Sequence, residues 1–393
     1  MLNIKFNTFS SNVKLILITS LLSNIGIFMI IPFLAIYLSK LETITTAQVG
    51  LIIGVAFWCQ RAGSFFGGLM SDYLHIKGTM LLGLTIRIPG YLLVGYVDSF
   101  YLLLIACSII GLGSSIYLPA AKSYLVKVTS DKDKIDVLST RMIFSNIGVA
   151  IGPVIGMSVF TLSPSVLFVT VAVIFSILTL MNLKLEGRNE RLASSQVSAK
   201  DFGVLLTNRM MIAIALFMFL FMAFYMQIEV TIPIFSSEKF DNKIVSYIFI
   251  CNAFIVIFFQ SAISKWACNG AAKKVISITF ILFSLCFLLM NMIKDSYALV
   301  FLAVIVFSFA EIIIQIRLDY DATNVSKKMV ATTFGIMSLA GAFGGLVGSY
   351  IGTLLYTSGL MGISIWGVLS LSSAIVAMVC ILNPDNGSDG IIK

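Results

Sequence analysis

Four ionisable residues stand inside long apolar runs: Arg61, Arg87, Glu229 and Glu311. A charge at bilayer depth is costly, so each is a candidate for function. A carboxyl group there can be neutralised by taking up a proton, which makes Glu311 and Glu229 the candidate proton carriers. Gln315 follows Glu311 by one helical turn, and the single histidine, His75, falls in a loop. Arginine keeps its charge. Arg61 and Arg87 therefore need backbone carbonyls, the glutamates, or an acidic group on a bound molecule. Arg61 lies 11 residues before Asp72 and Arg87 lies 10 past Lys77. At 1.5 Å per residue both sit about 16 Å up their helices. Asn24, Gln60, Gln227, Asn252 and Gln315, with Trp58 and Tyr225 beside them, are the candidate lining of a substrate cavity.

Other chemistries find no support. The chain has no nucleophile–base pair, no metal-ligand cluster and no phosphate loop, so no catalytic residue, metal site or cofactor is expected beyond a proton as coupling ion. The six cysteines form no CxxC pair and imply neither zinc nor a disulfide framework. An enzyme is not expected. The positive balance, +8, reads as membrane topology, and no nucleic-acid partner follows from it.

The elements that position these residues must be membrane helices. Of 393 residues 59% are hydrophobic and 11% charged, more apolar surface than a water-soluble chain of this size can hide. Twelve spans are predicted near 13–38, 46–70, 78–97, 100–126, 136–160, 165–184, 210–235, 244–264, 274–293, 296–316, 330–355 and 362–382. The first is too long for a signal-peptide core and reads as an uncleaved helix. With a cytoplasmic N-terminus, 20 of the assigned Lys and Arg residues fall inside and 4 outside, which places both termini in the cytoplasm. The longest polar stretch divides the chain into a six-helix bundle over 1–184, a cytoplasmic linker over 185–208 and a second six-helix bundle over 209–393.

The halves echo each other. Span 5 carries Gly148, Gly152 and Gly156 at four-residue spacing, with Pro153 beside the middle glycine. Span 11 carries Gly341 and Gly345, then Gly348 and Gly352. Such spacing flattens a helix face for close approach by another helix. Between spans 2 and 3, the segment GLMSDYLHIK holds Gly68, Asp72 and Lys77. An acid at that helix end can accept from the N-terminus of another helix.

These motifs resemble those of the major facilitator superfamily, in its drug/metabolite:proton antiporter type. The span 5 pattern is similar to the antiporter signature GxxxGPxxGG, with Met157 at the last glycine. GLMSDYLHIK is similar to the loop motif GxLaDRxGRK, with Tyr73, His75 and Ile76 departing from it. The resemblance implies two pseudo-symmetric six-helix bundles that work by rocker-switch alternating access. It also implies a site at the interface between halves, with the span 5 glycines sealing one half against the other. A third family motif, an arginine on span 4, is absent, because Cys107 stands there. An arginine in span 3 and a glutamate in span 10 recur in the bacterial drug/proton antiporters that this chain resembles, which supports Arg87 and Glu311. The reading is a proton-coupled exporter of a small organic molecule in a bacterial inner membrane. Two arginines suit a carboxylate-bearing metallophore or siderophore; the alternative is a broad multidrug antiporter. A lipid bilayer and a small-molecule substrate are the partners, and a monomer is the family expectation.

Overall fold

The computed structural model describes residues 6–73, 75–185, 199–240, 243–293, 296–358 and 364–382, and their regular structure is entirely helical. In chain order the helices are α1 (Ser11–Ser39), α2 (Thr46–Tyr73), α3 (Ile76–Thr85), α4 (Arg87–Tyr96), α5 (Phe100–Val128), α6 (Lys134–Phe160), α7 (Pro164–Leu183), α8 (Ala199–Thr207), α9 (Arg209–Met226), α10 (Ile232–Lys239), α11 (Lys243–Asn269), α12 (Ala272–Asn291), α13 (Tyr297–Val325), α14 (Val330–Ser358) and α15 (Ile365–Leu382). Among the described residues, 11 stretches are long and apolar enough to cross a membrane. α2, 28 residues long, covers the predicted second span, 46–70. It carries Gln48, Gln60, Arg61, Ser64, Ser71 and Asp72 along its length.

Local chemistry sets the ends. The Ser10 hydroxyl accepts from the Val13 amide at the start of α1, and Asn208 Oδ1 accepts from the Met210 and Met211 amides at 2.8 and 3.3 Å at the start of α9. Pro164 opens α7, where its missing amide hydrogen costs nothing. Two spans are interrupted, which the hydrophobic pattern does not reveal. The third breaks at Ile86 between α3 and α4, because Pro89 cannot donate to the carbonyl of Thr85, four residues back. The seventh changes pitch between α9 and α10, where Gln227–Thr231 form a π-turn and the Ile232 amide reaches back to the Gln227 carbonyl.

By its internal contacts the chain divides into two units. The first contains Lys5–Thr207 together with Ala322–Leu339, and the second contains Asn208–Asp321 and Ala340–Lys393. In the first unit, α1 packs on α6, α2 on α5, and α3 and α4 on α5 and α7. In the second, α12 packs along α15. The buried core of the second unit is rich in phenylalanine: the rings of Phe221, Phe224, Phe280, Phe283, Phe287 and Phe307 stack, tilt or meet edge-on at 5.2–6.5 Å.

Of the expected linker, 186–198 lies outside the described residues, as do the two ends, 1–5 and 383–393. The linker is not wholly irregular: α8 occupies its last part, and the Phe202 ring lies 6.0 Å from that of Phe65.

Candidate functional site

Arg87 opens α4 directly after the break that Pro89 causes, and it is 1% exposed. Its guanidinium lies 3.8 Å from the centre of the Phe175 ring and 5.7 Å from that of Tyr91. Nη2 donates to the Tyr91 hydroxyl at 2.9 Å. A desolvated guanidinium over an aromatic face gains about 2 kcal/mol. Among the described residues no carboxylate pairs with Arg87.

Two cavities of the first unit meet at this residue. A larger one of about 190 Å³ runs between α1, α2, α4, α5 and α7, with Ile30, Ala56, Gln60, Cys107 and Phe168 among its walls. A smaller one of about 20 Å³ is polar and lies between α1, α4, α5 and α6. Asn24 lines the smaller one and donates to the Ser20 carbonyl at 2.7 Å and to Ser145 Oγ at 3.3 Å. Arg61 is half-buried, 5.3 Å from the centre of the Phe57 ring, and Trp58 is 40% exposed.

The loop-motif residues all serve helix ends. Gly68 faces the backbone of Ala331 and Thr332, where a side chain would collide. That approach lets Asp72 Oδ2 accept from the Thr332 amide at 2.6 Å, in the first turn of α14, where the helix dipole favours a negative charge. Lys127 Nζ lies 3.9 Å from the other carboxylate oxygen. Lys77 Nζ donates to the carbonyls of Leu183 and Leu185 at 2.9 and 2.7 Å, covering the C-terminus of α7.

The glycines of α6 meet α1 of their own unit: Gly148 faces Leu21, Asn24 and Ile25, Gly152 faces Ile25 and Phe28, and Gly156 faces Met29. α6 runs through Pro153 as one unbroken helix. The second unit repeats the arrangement with α14 on α9, in a different register from the one the sequence suggested. Gly344 faces Phe219, Gly348 faces Ala223 and Gly352 faces Gln227 and Thr231, whereas Gly345 meets only Met226.

In the second unit Glu311 is 4% exposed, and its Oε2 accepts from Asn252 Nδ2 at 2.8 Å. The same Nδ2 lies 3.0 Å from Ser308 Oγ, which in turn donates to the Val304 carbonyl. A buried carboxyl held by one oriented amide donor is suited to a group that gains and loses a proton. Gln315 is partly exposed and, among the described residues, makes no side-chain hydrogen bond to Glu311. Glu229, in the π-turn, is exposed and accepts from the Tyr225 hydroxyl at 3.0 Å. Gln227 is placed differently from the cavity role expected of it. It is 1% exposed, donates to the carbonyls of Ala223 and Gly348 and accepts from Thr231, so its amide ties α9 to α14.

Sequence reasoning counted four embedded charges and missed others. Arg317 is 6% exposed, Asp321 1% and Asp319 3%. Arg317 Nε donates to Asp321 Oδ2 at 2.8 Å, and Nη1 reaches the carbonyls of Ala267, Cys268 and Gly270, closing the end of α11. Arg141, read as a cytoplasmic topology charge, is 9% exposed and lines the small polar cavity. The signal within reach was the i,i+4 spacing of Arg317 and Asp321.

Comparison with known proteins bears on the whole chain. The family model described as Major Facilitator Superfamily matches residues 16–349. An uncharacterized MFS-type transporter of Mycobacterium tuberculosis is 24% identical, over 98% of this chain and 96% of its own length. A Na(+), Li(+), K(+)/H(+) antiporter of Planococcus maritimus is 23% identical, over 87% of this chain and 89% of its own. Among solved structures, the human organic anion transporter MFSD10 (TETRAN) superposes with a TM-score of 0.77 at 16% identity, covering 95% of this chain and 100% of that one.

Proposed function

The chain belongs to the Major Facilitator Superfamily, and from that premise we propose that it is a proton-coupled exporter of a small carboxylate-bearing molecule, working by alternating access. As a member of that family it is a multi-pass membrane transporter and not an enzyme. The observation that carries the rest is the sorting of buried charge. Arg87 in the first unit faces cavities whose walls hold no acid, and Glu311 in the second unit is held, among the described residues, by an amide and no cation.

In this reading Arg87, with Arg61 further along α2, binds the acidic group of the substrate. Glu311 takes a proton on the outer side and releases it on the inner side, and Glu229 with Tyr225 assists. The name of the Planococcus relative supports exchange against protons. A monovalent cation as substrate is disfavoured here, because Arg87 would repel it from the first unit's cavities. An acidic substrate agrees with human MFSD10, an organic anion transporter of similar fold. The direction, outward, rests on the glycine–proline pattern of α6. The excess of Lys and Arg on one side favours an inner membrane with both ends in the cytoplasm, and a monomer suffices. A secreted metal chelator with carboxylate arms is one member of the class. The names of the relatives do not carry that refinement, and the class itself rests on the arginines. A multidrug cavity walled by phenylalanine has less support, because the ring cluster of the second unit is packed core.

The test is an export comparison. Medium and cells are profiled by mass spectrometry for a strain lacking the gene, complemented with the wild type, with Arg87→Gln or with nothing. Wild type restores, and Arg87→Gln does not, the export of an organic acid that otherwise accumulates in cells. Profiles that differ only in organic cations, or not at all, contradict the proposal.

A further inference from the structure

The small cavity beside Arg87 has a composition that the carrier reading leaves unexplained. Its walls carry three cationic side chains, Arg87, Lys122 and Arg141, and no acidic one. The rest of the lining is Ser20, Ser23, Asn24, Ser114 and Tyr117, closed by Ile27, Leu118 and Ala121. Three cations around one small space make its potential positive. Lys122 and Arg141 engage other groups as well, Lys122 lying over the Phe334 ring at 5.0 Å; what they bring to the cavity is charge.

Two buried donors supply an independent observation. The Tyr117 hydroxyl and Arg87 Nε are buried and have no hydrogen-bond partner among the described residues, and both residues line the cavity. Tyr117 is 2% exposed and Arg87 1%. An unmade hydrogen bond from a buried donor costs about 1–3 kcal/mol, and more when the donor is charged. Neither donor can be satisfied by a further cation. A negatively charged acceptor in the cavity is the kind of partner that suits both.

The volume sets the size of that acceptor. About 20 Å³ holds a single water-sized particle. A halide ion has that size, and so has the end of one carboxylate group. We infer that the cavity bounded by Arg87, Tyr117 and Arg141 is a binding seat for one small anionic group. The apolar cavity of about 190 Å³ shares Arg87, Ile27 and Ser114 with it. A carboxylate in the seat can therefore carry an apolar body on the other side of Arg87. The seat itself follows from the first unit alone and does not depend on proton coupling; only the organic-acid source rests on the carrier reading.

The test reads anion dependence of thermal unfolding in the purified full chain, at fixed ionic strength. Sodium gluconate, whose polyhydroxylated body does not suit the apolar cavity beyond Arg87, is the reference, and sodium chloride and sodium octanoate are the probes. A ligand at ten times its dissociation constant raises the folded-to-unfolded ratio about elevenfold, so a saturable rise in the unfolding midpoint is expected. Stabilisation by chloride identifies an inorganic anion as an occupant. Stabilisation by octanoate alone identifies a carboxylate on an apolar body. Arg87→Gln and Tyr117→Phe are compared with themselves across the three salts, so that their own stability does not matter. Loss of the anion effect in either variant supports the seat. Equal midpoints for the wild type in all three salts overturn it, and so does an effect that both variants keep. Failure here leaves the export comparison untouched, and failure of export leaves the salt series interpretable.

Discussion

Arg317 and Arg87 are both buried arginines, and their partners separate them. Arg317 has a carboxylate at 2.8 Å and three backbone carbonyls; Arg87 has one phenol and two ring faces. The first arrangement completes a structure and the second leaves charge to spare for a ligand. Arg317→Ala strands Asp321 in the second unit and uncaps α11, so it is expected to destabilise that unit by about 3–5 kcal/mol. Adding Asp321→Ala recovers part of the loss, since it removes the stranded charge. Melting of the two variants in detergent checks both statements, and a single variant as stable as wild type contradicts them. Arg87 was legible in the sequence because it stands alone in an apolar run. Arg317 was not, because a cation near the end of a span reads first as topology. Its burial depends on where α11 ends, which no local pattern encodes.

At the scale of elements, the glycines set how closely helices approach. α6 lies on α1, and α14 on α9, with glycine against backbone in both pairs. Leucine at Gly156 or Gly348 must push the partner helix away, whereas at Gly54 nothing lies within 4 Å of an added Cβ. Overpacking costs about 1–3 kcal/mol, and more where the obstacle is backbone. Gly156→Leu and Gly348→Leu are therefore expected to lower the unfolding midpoint and the yield of monodisperse protein. Gly54→Leu leaves both near wild type, and equal behaviour of all three variants rules the packing account out. The glycine spacing was readable as close packing. Its partner was not, because a flat helix face does not say which helix fills it. The register on α14, through Gly344 and not Gly345, likewise emerges only from contact with α9. The breaks at Ile86 and at the π-turn arise from Pro89 and its surroundings in one case and from the Gln227–Thr231 geometry in the other. Apolar periodicity does not register either.

At the scale of the molecule, the spans were legible because the bilayer demands long apolar helices. α2 was legible too, although polar residues on it serve packing and a helix cap, as Gly68 and Asp72 show. In the proposed cycle Glu311 carries the proton that drives transport, with Asn252 orienting its carboxyl. The most direct test uses everted membrane vesicles containing wild type or Glu311→Gln and the acid identified by the export comparison. Accumulation is followed with and without an imposed proton gradient. Wild type is expected to concentrate the acid only with the gradient, while Glu311→Gln equilibrates it without concentrating it. Gradient-driven accumulation by Glu311→Gln equal to wild type would contradict a proton-carrying role for Glu311.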